Sequence, residues 1–97
     1  MSAMNSTVDQ TIMNMCVSNP SVTRGDFINM FSSRDMQSVE NTIVGIDRAI
    51  MQISDGILDD ETKTEEENYA RASKIISVLE YTRGYFEGVL DYIENLN

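Results

Sequence analysis

Met36, Val39, Ile43, Ile46, Ile50, Ile53 and Ile57 stand in steps of three and four without an error. Apolar residues at that rhythm share one stripe of an α-helix, whereas a half-buried strand would show them at every second position. The run spans three heptads, and six of its seven members are β-branched. Burying seven such side chains is worth on the order of 10–20 kcal/mol before entropy is subtracted. The spacing predicts a helix over residues 34–58, roughly 37 Å long, which must find an apolar neighbour.

The neighbour is the last third of the chain, residues 65–97, where two stripes run side by side. Tyr69, Ala72, Ile76, Leu79, Phe86, Leu90 and Ile93 keep the three–four rhythm, with Arg83 interrupting. Ile75, Val78, Thr82, Tyr85, Val89, Tyr92 and Leu96 keep it one residue out of phase, about 100° further round the helix. A connector at 59–64 is too short for anything but an antiparallel hairpin. The first long helix covers one stripe and leaves the other for a further neighbour. Gly84 and Gly88 are four apart in this helix, a spacing that suits close approach of another backbone.

Residues 1–33 supply the economical candidates for that neighbour. Ser6-Thr7-Val8-Asp9 resembles a capping box, starting a helix near Thr7 with Val8, Ile12, Met15 and Cys16 on one face. Asn19-Pro20 ends it, because the residue before proline is driven out of the helical region. Thr23-Arg24-Gly25-Asp26 caps a short helix carrying Phe27, Ile28 and Phe31, and Ser32-Ser33 offers the next cap. Thr62-Lys63-Thr64-Glu65 and Thr64-Glu65-Glu66-Glu67 are overlapping boxes that start the last helix near Glu65, its glutamates complementing the helix dipole. The fold class expected is all-α, a single helical domain. A long antiparallel helical hairpin carries two shorter N-terminal helices in a small bundle. Apolar content of 41% and a single proline agree with this and disfavour both disorder and an all-β chain.

The net charge is −9, and −5 of it lies in residues 59–68, DDETKTEEEN. Lys and Arg cluster nowhere, so the phosphate-neutralising footprint of direct nucleic-acid binding is missing, and an anionic membrane surface would repel the chain. A helix-turn-helix reading fails for the same reason. Its second helix, RGDFINMFSS, offers Arg24 and Asn29 but also Asp26 and mostly apolar side chains, where a groove needs several donors and cations for the phosphates. No run of 18 apolar residues and no charged leader before an apolar stretch is present, and one cysteine forms no internal disulfide. A cytoplasmic protein is expected.

Catalytic chemistry lacks its usual groups. With no histidine, the commonest general base and metal ligand are missing, and Cys16 has no partner to activate it and reads as a small buried hydrophobe. The stretch DGILDDETKTEEE lacks the residue order of a calcium loop. Arg24-Gly25-Asp26, a tripeptide read by integrins, reads here as helix-capping material. No catalytic residue, cofactor or metal is expected. Five of the seven methionines lie in the first 30 residues, a pattern of gap-filling in a small core or of an adaptable surface.

The tail RGYFEGVLDYIE, residues 83–94, is similar to the C-terminal end of phage-encoded anti-sigma factors. The similarity spans about a dozen residues, brings no site residue with it, and implies the company of small acidic helical inhibitors.

The expected function is non-enzymatic binding of another protein, with no direct nucleic acid and no membrane. Its specific form is a small acidic inhibitor or sequestering factor, of the phage-antagonist or immunity type, engaging a basic site on a nucleic-acid-handling protein. Asp59, Asp60, Glu61, Glu65, Glu66 and Glu67 would form the acidic surface. An assembly or secretion chaperone is the alternative, holding an apolar client helix on Tyr85, Val89 and Tyr92. A structural homo-oligomer is the third, with a homodimer as one form of it.

Overall fold

The computed structural model describes residues 3–32 and 34–96, and side chains from Val8 onward. Four helices follow one another: α1 (Ala3–Ser18), α2 (Arg24–Met30), α3 (Met36–Ser54) and α4 (Glu65–Leu96). α3 and α4 form the antiparallel hairpin. Arg83 Nε lies 2.6 Å from Asp47 Oδ1 across it, and nearer the turn Arg71 Nη1 donates to the Leu58 carbonyl at 3.4 Å. The two short helices divide the hairpin between them, α1 lying along α3 and α2 along α4. The small helical bundle the sequence implies is the one observed.

Local chemistry explains where the helices start and stop. α1 begins at Ala3, ahead of the expected start near Thr7, and the Ser6 side chain lies outside the described residues. Thr23 and Asp26 close a full capping box on α2: Thr23 N–H donates to Asp26 Oδ2 at 2.9 Å, and Asp26 N–H to Thr23 Oγ1 at 3.3 Å. The cap of α3 is Asp35, whose carboxylate accepts from Ser38 N–H at 3.1 Å, so this helix starts at Met36 and not at the serine pair before it. Thr64 and Glu67 form the box that starts α4.

α3 ends at Ser54, short of the expected Leu58. Gly56 has φ of 93°, a left-handed conformation that stops the helix and that only glycine adopts without strain. The turn throws Ile57 out of the seam to 55% exposure, and Leu58 goes inside at 7%. The connector is therefore ten residues, 55–64. Tyr69, expected in the first seam of α4, is 76% exposed beside the cleft left beyond the end of α3.

One core serves all four helices, built around Ile12, Cys16, Phe27, Val39, Ile46, Ile53, Ile75 and Leu79. Met13, outside the expected face of α1, also enters it. Close helix approach occurs at Gly45 on α3, not at Gly84 and Gly88. A β-carbon on Gly45 would stand 2.9 Å from Val8 Cγ1 and 3.0 Å from Ile12 Cδ1; for Gly84 and Gly88 nothing lies within 4 Å. The seam on α3 faces α4, and a second strip of small buried residues, Thr42, Gly45 and Ala49, receives α1.

Candidate functional site

The acidic residues of the connector and the first turn of α4 separate into two kinds. Asp60 Oδ1 accepts from Thr62 Oγ1 at 2.7 Å and Thr62 N–H at 2.9 Å, and these hydrogen bonds hold its carboxyl below its ordinary range. Its backbone is clamped to α4: Asp60 N–H donates to Asn68 Oδ1 at 3.0 Å and Asn68 Nδ2 to the Asp60 carbonyl at 3.1 Å. Glu67 is held by Thr64, whose N–H donates to Oε1 at 2.9 Å, and its carboxyl too sits below its ordinary range. Asp60 and Glu67 are thus loop-fixing and capping groups.

Asp59, Glu61, Glu65 and Glu66 make no side-chain hydrogen bond or ion pair among the described residues, and all four are exposed. Asp59 and Glu65 share the rim of an open cleft of about 680 Å³ with Asp55. Ile53, Ala72 and Ile76 line its floor, Tyr69 stands at its edge, and among the described residues no cation lines it. Asp55 is a member the sequence reading missed; its place immediately before the helix-stopping Gly56 is the signal that finds it. Glu61 lies on the other side of the connector, beside the exposed Val17 and Ile57.

Tyr85, Val89 and Tyr92 belong to a different surface. From Glu65 to Tyr92 is about 40 Å along one straight helix. On the second stripe Ile75 and Thr82 are buried and Val78 and Val89 are half-buried against the core, while Tyr85 is 40%, Tyr92 59% and Leu96 67% exposed. Tyr85 meets Phe86 edge-on at 5.2 Å, which fixes the ring at the border of the core. Arg24 of α2 places its guanidinium 4.2 Å from the centre of the Tyr81 ring, a contact no sequence spacing announced.

Cys16 is fully buried, and that burial pushes its thiol up to about 11, so it stays protonated and inert at neutral pH. Among the described residues no group of three or more Asp, Glu or Cys is arranged to hold a metal ion, and no helix is long and apolar enough to cross a membrane. No protein-family model, curated protein or solved structure matches the chain.

Proposed function

We propose that this chain is a non-enzymatic protein-binding protein, a small acidic inhibitor or sequestering factor that engages a basic surface on a nucleic-acid-handling partner. The observation that carries the reading is the division of the carboxylates at the closed end of the hairpin. Two hold the connector rigid, Asp55, Asp59 and Glu65 rim an apolar-floored cleft that no cation among the described residues lines, and Glu61 and Glu66 stand exposed in the same segment outside it. A rigid scaffold presenting unpaired charge of one sign raises the association rate with an oppositely charged surface and places its partner in one register.

The test is capture of partners from the native host at low and high salt by the parent and by a variant carrying Asp59→Asn, Glu61→Gln, Glu65→Gln and Glu66→Gln. A basic partner lost at high salt and lost by the variant supports the reading. Capture that ignores both changes refutes the acidic-surface mechanism. The exposure of Tyr85 and Tyr92 favours a second reading, the holding of an apolar helix of a client protein. That contact would survive salt and depend on Tyr85, Val89 and Tyr92.

A further inference from the structure

The solvent face of the second half of α4 is divided into three lengthwise strips. At about 100° per residue, Tyr81, Tyr85 and Tyr92 fall within about 40° of one another; they are 65%, 40% and 59% exposed. Gly88 and Gly84 come about 20° and 60° round from Tyr81, with open space where a β-carbon would stand on either. Asp91, Glu80, Glu87 and Glu94 follow at about 80–140°, all exposed. The buried Leu79 and Phe86 lie on the far side of the helix. The result is a shallow trough floored by backbone at Gly84 and Gly88, with Asn95 on the same strip at its lower end and an aromatic wall and an acidic wall on its flanks.

Glycine in a helix interior is unfavourable relative to alanine. Gly45 has a reason inside the fold, since α1 lies on it; Gly84 and Gly88 have none. On the acidic wall Glu87 pairs with Arg83 at 3.5 Å, while Glu80, Asp91 and Glu94 make no ion pair among the described residues. Residues 84–96 contain no Lys or Arg, and Arg83 at its head is already paired with Asp47 and Glu87. On the aromatic wall, Arg24 of α2 is seated over Tyr81, so one helix of this chain already docks against the upper end of the same strip.

We propose that this trough seats an α-helix of another protein, with small or apolar residues facing the two glycines and Lys or Arg along the shoulder that meets the acidic wall. A second copy of this chain does not meet that description. Antiparallel pairing about the trough sets carboxylates against carboxylates, and neither orientation brings a cation from residues 84–96. The inference rests on reading the chain as a protein-binding protein, but it uses a different surface from the carboxylates at the closed end of the hairpin.

The test is fluorescence anisotropy of the full chain with a labelled helical peptide of about 20 residues. The peptide carries an Ala/Leu seam and lysines on one shoulder, and a matched peptide carries glutamates in their place. The lysine peptide is expected to bind more tightly than its glutamate twin by about tenfold or more. Gly88→Leu fills the trough and leaves the net charge untouched, and is expected to weaken binding by about tenfold with helix content unchanged by circular dichroism. Gly88→Ala is a milder variant, expected to weaken it less. The Asp59, Glu61, Glu65 and Glu66 quadruple variant should bind the lysine peptide as the parent does. Equal binding by Gly88→Leu, or loss only in the quadruple variant, overturns the trough and leaves the closed-end surface standing. Sedimentation showing a dimer that Gly88→Leu dissociates also overturns it, assigning the seat to a second copy.

Discussion

Val8 Cγ1 lies 2.9 Å from the point where a β-carbon on Gly45 would stand, and Asp9 Oδ1 lies 3.1 Å from it. α1 therefore rests on the backbone of α3, and Asp9 reaches past the contact to pair with Arg48 at 2.9 Å. Gly45→Val is expected to lower stability by about 1–3 kcal/mol, because a well-packed contact must part to admit the added atoms. Urea denaturation measures it; a variant as stable as the parent would show that α1 is not seated there.

Gly84 and Gly88 should respond in the opposite direction. Each is exposed with free space around it, so Gly84→Ala and Gly88→Ala are each expected to raise stability by about 0.5–1 kcal/mol. Stability unchanged or lowered would mean that something in the fold does need these glycines.

The end of α3 can be tested with two isoleucines four residues apart. Ile53 is 2% exposed and Ile57 55%. Ile53→Ala is expected to cost about 2–5 kcal/mol, and Ile57→Ala to stay within about 0.5 kcal/mol. Similar losses at both would restore Ile57 to the seam.

Asp60 gives the fold a dependence on pH whose sign follows from its depressed titration. A carboxyl held low in the folded state contributes stability that is complete above its unfolded-state value, near 4, and disappears as pH falls through the folded-state value. Thr62→Ala removes the first of the hydrogen bonds responsible. This variant should be less stable than the parent at pH 7 and indistinguishable from it at pH 2, with the Asp60 midpoint displaced upward in a carboxyl NMR titration. An unmoved midpoint would count against the Thr62 contact.

Cys16 should be chemically silent until the chain unfolds. With its thiol buried and raised to about 11, the native protein at pH 8 is expected to resist an alkylating reagent that labels the denatured protein fully. Rapid labelling of the native state would place Cys16 at an accessible surface.

Helix identity was legible because the seam from Met36 to Ile53 and the twin stripes of α4 are periodic, and periodicity is a local property of the chain. Chain breaks were legible where one residue imposes them, as Pro20 does after α1 and the Thr23–Asp26 box does before α2. The candidate surfaces were legible only in part. Net charge located the acidic connector, but not which of its carboxylates were engaged, because engagement depends on hydroxyls such as those of Thr62 and Thr64 folding back onto Asp60 and Glu67.

The sequence by itself determined an all-helical chain with a hairpin of two long helices, since no other backbone satisfies stripes at that spacing. Only the tertiary structure decided which glycine is covered and which are bare. Gly45, Gly84 and Gly88 are the same residue type in the same kind of helix, and nothing local distinguishes them. What separates them is where α1 lies across α3, a choice made by the fit of Val8 and Ile12 onto one short strip of small side chains.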